Sequence, residues 1–211
     1  MSPARLSGCF LFPLFMFASM LSACSLGRPA PPTRLYVLTA PSQAGGSLSK
    51  LSATGVAVGV GPVELPQYVN RPQIVTGESG NELQQAQFDQ WAEPLETNFT
   101  RVLAENLLQI LATERVAVFP WQGPVPLDYQ VIVEVTHFLG TPNGSVSLVA
   151  LWRILGKDGK ETLVSRQSRC TEPTGSSDYT ALAAAMSRTV AALSRDIAAT
   201  ITDLSQQKPQ P

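Results

Sequence analysis

Apolar residues near the end of the chain recur at Tyr179, Leu182, Met186, Val190, Leu193, Ile197, Ile201 and Leu204, always three or four positions apart. That is the period of one helix face, sustained so far that other structure must cover it. Ser176, Ser177 and Asp178 stand just before it and offer helix caps. A second stripe, Leu95, Phe99, Val102, Leu103, Leu107, Ile110 and Leu111, follows Pro94, a residue suited to the first helical position. Asn98, Arg101, Glu105 and Gln109 form its polar side. The opposite side of the last helix carries Ala184, Arg188, Ala191, Arg195, Ala198 and Thr202 and reads as a solvated face, although its small residues would also admit a neighbouring subunit.

Between the helices the period changes to two. Tyr129, Val131, Val133 and Val135 alternate with Gln130, Ile132, Glu134 and Thr136, as in a half-buried strand. Thr141 to Gly144 is a turn, Val146 to Leu155 a returning strand, and Gly156 to Lys160 a second turn in which Asp158-Gly159 supplies the positive φ. Thr162 to Thr171 completes an antiparallel meander. Shorter β-prone runs occur at Leu35–Leu38, Val56–Val60, Ile74–Thr76, Leu83–Phe88 and Val116–Phe119, with a Ser/Gly/Ala loop from Ser42 to Ser47. These elements predict a single α+β domain: a mixed sheet with an antiparallel meander and two helices packed on one face.

The N-terminus follows a different pattern. Arg5 precedes an apolar run from Gly8 to Leu21, shorter than the roughly 20 residues a spanning helix needs. A positive head, an apolar centre and small residues behind it form a secretory signal. Leu21-Ser22-Ala23-Cys24 is similar to the lipobox of bacterial lipoproteins. That likeness implies cleavage between Ala23 and Cys24, lipid attachment at the Cys24 sulfur and a further acyl group such as palmitate on the new amino terminus. Several acyl chains hold stably, since each buried CH₂ contributes about 0.8 kcal/mol. Ser25 follows, and resemblance to enterobacterial sorting rules, in which aspartate at that place favours inner-membrane retention, implies delivery to the outer membrane. The expected organisation is a signal peptide at 1–23, a lipidated and proline-rich linker at 24–33, a folded domain at 34–205 and a polar tail at 206–211. Pro29, Pro31 and Pro32 stiffen the linker, whose residues 25–33 reach at most roughly 28 Å.

Charge removes several functions. Fifteen Lys and Arg against sixteen Asp and Glu leave no basic excess for nucleic acid. The chain has one histidine and three cysteines. With Cys9 in the signal and Cys24 acylated, Cys170 has no disulfide partner and reads as a small buried residue. His137 ends the Tyr129–Val135 face of its strand without an accompanying Gly-x-Ser-x-Gly elbow or a second histidine. Glu64, Glu78, Glu82 and Glu93 are scattered over loops, and Gly55, Gly59 and Gly61 do not match a phosphate loop because Pro62 follows. No metal, cofactor or enzymatic activity is expected. The aromatic residues Tyr68, Phe88 and Trp91 are the candidates for partner or lipid contact, with capping of the core as the alternative role; Trp152 reads as core.

With these segments placed, the chain resembles the auxiliary lipoproteins of ABC-type intermembrane lipid transport systems, the paraquat-inducible protein C type. The likeness rests on Cys24, Leu35-Tyr36-Val37-Leu38, Val60-Gly61-Pro62-Val63, Leu65-Pro66-Gln67-Tyr68-Val69 and Pro72-Gln73-Ile74-Val75-Thr76. It continues through Trp91-Ala92-Glu93-Pro94-Leu95 and Val102-Leu103-Ala104-Glu105-Asn106-Leu107, then Val131, Val133, Val135, Phe138, Gly140 and Trp152. Gly77-Glu78 departs from it, standing where the family suggests a basic residue. The resemblance implies a non-enzymatic outer-membrane component facing the periplasm. It would dock a mammalian-cell-entry (MCE) domain partner that bridges the envelope, support phospholipid transport and membrane integrity, and could assemble as a homo-oligomer. An outer-membrane assembly or secretion accessory lipoprotein is the alternative, and a periplasmic hydrolase a more distant one.

Overall fold

The period-two segment becomes three long strands, and the two apolar stripes become the two helices that cover them. In the computed structural model, residues 30–41, 55–77, 80–141 and 143–207 are described. The readings on the signal peptide, Ala23, Cys24, the Ser42–Ser47 loop, Glu78 and the last four residues lie outside them. The strands are β1 (Arg34–Tyr36), β2 (Val58–Glu64), β3 (Gln73–Gly77), β4 (Leu83–Trp91), β5 (Val116–Val118), β6 (Tyr129–Gly140), β7 (Ser145–Leu155) and β8 (Thr162–Pro173). The helices are α1 (Leu95–Ile110) and α2 (Tyr179–Gln207).

The α+β class and the meander stand, and the strands divide between two sheets. One has the order β5-β2-β6-β7-β8, with β2 parallel to both β5 and β6 and the meander antiparallel. The other has the order β1-β4-β3, with β1 parallel to β4. Gly77, at the end of β3, lies beside Thr141, so the small sheet abuts the Gly140 end of β6.

Helix α2 lies on β6, β7 and β8, while α1 packs against α2, β2 and β5. Val131 and Val133 of β6, with Leu148, Ala150, Trp152 and Ile154 of β7, belong to this core layer and are buried. The face of α2 read as solvated is not uniformly so. Ala184, Arg188 and Arg195 are exposed, but Ala191, Ala198 and Thr202 are buried. Ala191 and Ala198 share a side with Ser194, whose hydroxyl accepts from Asn106 of α1 at 3.1 Å, so small residues there let α1 come close.

Asn98 also departs from its polar assignment, with 1% of its surface exposed. Its amide donates to the Leu38 carbonyl at 3.2 Å and its Oδ1 accepts the Leu38 N–H. The next residue, Thr39, donates its N–H to Ser187 of α2 at 3.1 Å. Leu38 and Thr39, just beyond β1, thus clasp both helices. Pro94 occupies the cap position one residue before the helix proper. Asp178 caps α2 by accepting the Ala181 N–H at 2.8 Å.

Candidate functional site

Three side chains of the β2–β3 loop stand out from the domain because the residues before them are buried. Leu65 and Val69 enter the core, and the Pro66 carbonyl accepts the N–H groups of Val69 and Asn70, both at 3.1 Å. This tight turn leaves Asn70, Arg71 and Pro72 at the surface. Pro72 then accepts the Trp91 N–H at 2.7 Å, which fixes the loop against the end of β4. Ala92 donates to the Tyr36 carbonyl at 2.9 Å, and Pro94 opens α1. The result is a groove of about 410 Å³ lined by Asn70, Arg71, Pro72, Trp91, Ala92, Glu93 and Pro94. Two sequence motifs some twenty residues apart, one in the loop and one at the β4–α1 corner, meet there.

The groove has apolar walls and a polar rim. Proline offers no side-chain cap to α1, and Asn70 supplies one from the loop: its Oδ1 accepts the Glu96 N–H at 3.4 Å and its amide donates to Glu96 at 3.3 Å. Arg101 bridges Glu93 at 3.0 Å and Glu105 at 2.8 Å, and these hydrogen bonds hold its guanidinium above its usual range, Glu93 contributing most. Glu93, the acidic residue that lines the groove, is therefore engaged in advance. The Arg71 guanidinium makes no ion pair among the described residues.

Of the aromatic candidates, Trp91 forms the groove floor and is only 5% exposed. Tyr68 is half-buried and packs against the core; burial pushes its phenol up, opposed by a hydrogen bond with the Phe138 backbone. Phe88 is half-buried in β4 and does not line the groove. The structure does not bring these three together at one surface.

The more exposed aromatic cluster is elsewhere. Phe119 is 43% exposed and meets Trp121 edge-to-face at 5.3 Å. Both follow β5, in a run from Phe119 to Leu127 that contains no charged residue. That absence of charge was the available sequence signal. A Cβ on Gly59 would lie 2.5 Å from Leu127 and 2.8 Å from the Trp121 ring, so the bare glycine seats both side chains.

His137 does not continue the inward face of β6. A register shift between Val135 and His137 turns it to the other side and gives its inward place to Phe138, which is fully buried. Cys170 is buried and free, and burial, helped by Asp196, pushes its thiol up to about 11. Among the described residues, no group of three His, Cys, Asp or Glu side chains converges as a metal site. No described helix is long and apolar enough to cross a membrane.

The fold has solved counterparts. An uncharacterised protein aligns with a TM-score of 0.60 and 21% identity over 81% of this chain and 99% of its own. A protein from Xanthomonas campestris aligns with a TM-score of 0.64 and 17% identity over 83% and 98%. No curated protein matches the sequence. Residues 36–198 match the profile of the ABC-type transport auxiliary lipoprotein components, a span that includes β2–β8, α1, both groove motifs and most of α2. The chain belongs to this family of ABC-type transport auxiliary lipoprotein components.

Proposed function

We propose that this domain is a non-catalytic docking part of an intermembrane phospholipid transport system. Acyl chains on Cys24 hold it at the periplasmic face of the outer membrane, and an MCE-domain partner reaches it from the inner membrane. One observation supports this most: the loop at Asn70–Pro72 and the corner at Trp91–Pro94 converge on an open groove. Its one acidic lining side chain, Glu93, is already paired with Arg101, and one cation, Arg71, is left to face a partner. Such a frame is built to hold shape, as a docking surface requires, because little side-chain entropy remains to be lost on binding.

Affinity capture of the native lipoprotein from a solubilised envelope tests the reading. An MCE-domain protein should be recovered with it, and Ala92→Arg, which fills the groove at an exposed position, should reduce recovery with the melting transition unchanged. Reproducible capture of an outer-membrane assembly or secretion complex in its place would overturn the proposal.

A further inference from the structure

The uncharged run Phe119–Leu127 is rigidly mounted. The Phe119 N–H donates to the Val60 carbonyl at 2.8 Å, and just beyond the run the Asp128 N–H donates to Ala57 at 2.8 Å. Between these two points on β2 and its lead-in, Trp121 and Leu127 rest on Gly59. Val118, Phe119 and Val125 remain 44%, 43% and 37% exposed. Three prolines, at 120, 124 and 126, restrict the backbone of this segment. An exposed apolar cluster held this firmly marks a contact surface.

We infer that this loop is a foot that rests in the headgroup–acyl boundary of the phospholipid surface to which the chain is anchored, placing Trp121 and Phe119 among lipid. The inference rests on the anchor at Cys24. Two observations select lipid as the occupant. First, the run from Phe119 to Leu127 offers no charge for steering or pairing with a protein, whereas an aromatic, uncharged tip suits the membrane interface. Second, the tether is long enough. The ten residues from Cys24 to Thr33 reach at most about 31 Å, most of the roughly 40 Å breadth of a domain this size. A domain held that close can lay one edge on the bilayer without leaving its anchor.

The protein carries its own probe. Trp91 and Trp152 are 5% and 2% exposed, so a quencher confined to lipid can reach only Trp121 among the three tryptophans. The lipidated chain, purified in detergent, would be reconstituted into phosphatidylethanolamine–phosphatidylglycerol vesicles with dibrominated acyl chains. Flotation reads the anchor and quenching reads the loop. Flotation together with loss of the Trp121 emission supports the inference, provided that Val125→Asp lessens the loss while the protein still floats. Flotation with emission unaffected by bromine overturns the foot and leaves the anchor standing. Failure to float overturns the anchor reading and the foot with it. Concentration-dependent protection of Trp121 from acrylamide in detergent would assign the loop to a second copy of the chain, and protection only by a captured protein would assign it to that partner; either overturns the foot.

Discussion

Arg34 and Asp89 form an ion pair at 2.8 Å in which the arginine side chain is 63% exposed and the aspartate only 7%. The same carboxylate accepts the Tyr36 hydroxyl at 2.8 Å. Both partners lie on β1, so a buried acid on β4 is satisfied by the first strand of the domain. Tyr36 in turn packs against Tyr179 at the start of α2, with ring centroids 6.4 Å apart. The strand nearest the expected tether is thus fixed to β4 by a carboxylate and to α2 by an aromatic pair.

Asp89→Ala should loosen β1 first. Removing a hydrogen-bonded buried acceptor costs about 1–3 kcal/mol, whereas the exposed Arg34 can return to water at little cost. Urea unfolding should register that loss, and hydrogen exchange should show faster opening at residues 34–38 than in β6 or β7.

Asn98→Ala should do more harm than an ordinary helix substitution. It removes the partners of both the N–H and the carbonyl of Leu38, a residue with no exposed surface. Two buried backbone groups left unpaired put the expected loss at about 2–4 kcal/mol. Thermal or urea unfolding checks it, with Gln109→Ala on the same helix as a control expected to change little.

What the sequence makes legible is whatever repeats. The stripe from Tyr179 to Leu204 and the alternation from Tyr129 to Val135 each recur often enough to set element and facing. Contacts made by one residue with a distant one carry no period. Asn98 looks polar and solvated until Leu38, sixty residues away, is placed against it. His137 follows the alternation until a bulge turns it. The division into two sheets was hidden for a similar reason: Gly61 to Gly80 is broken by proline and glycine, and no periodicity shows which strand β3 pairs with. Half of the candidate site was readable, since Trp91-Ala92-Glu93-Pro94 stood out as a motif. Its groove was not, because that depends on Pro72 meeting Trp91. Trp121 was missed because a loop aromatic gives no pattern, only an absence of nearby charge.

Cys170 gives a pH dependence with a definite sign. Its thiol is pushed up to about 11 in the folded protein from an ordinary value of 9.0. Between those values the folded state holds a proton that the unfolded state has released. Its contribution is therefore constant below about pH 9 and falls as pH rises toward 11. Urea midpoints across this range should decline less in Cys170→Ala than in the parent, measured relative to each protein's own midpoint at pH 8. In the native state at pH 8 the thiol should react with a disulfide reagent only slowly, and unfolding should restore fast reaction.

Asn106 and Ser194 test whether a buried polar contact between the helices stabilises the domain at all. Both residues are fully buried, and the Asn106 amide donates to the serine at 3.1 Å. Its Oδ1 has no partner among the described residues. Ser194 also donates to the Val190 carbonyl at 2.7 Å, which leaves its oxygen to receive the asparagine. Ser194→Ala alone strands the Asn106 amide and should cost about 1–3 kcal/mol. Adding Asn106→Leu removes the stranded donor together with the unpaired acceptor and replaces them with an apolar side chain of similar size. The double variant should therefore recover most of that loss, and can exceed the parent, because replacing both partners of a buried pair by apolar groups is close to neutral or favourable. A double-mutant cycle by urea unfolding decides between the two accounts. If the two losses simply add, the pair carries no coupling energy, and each side chain stabilises the domain through its other contacts.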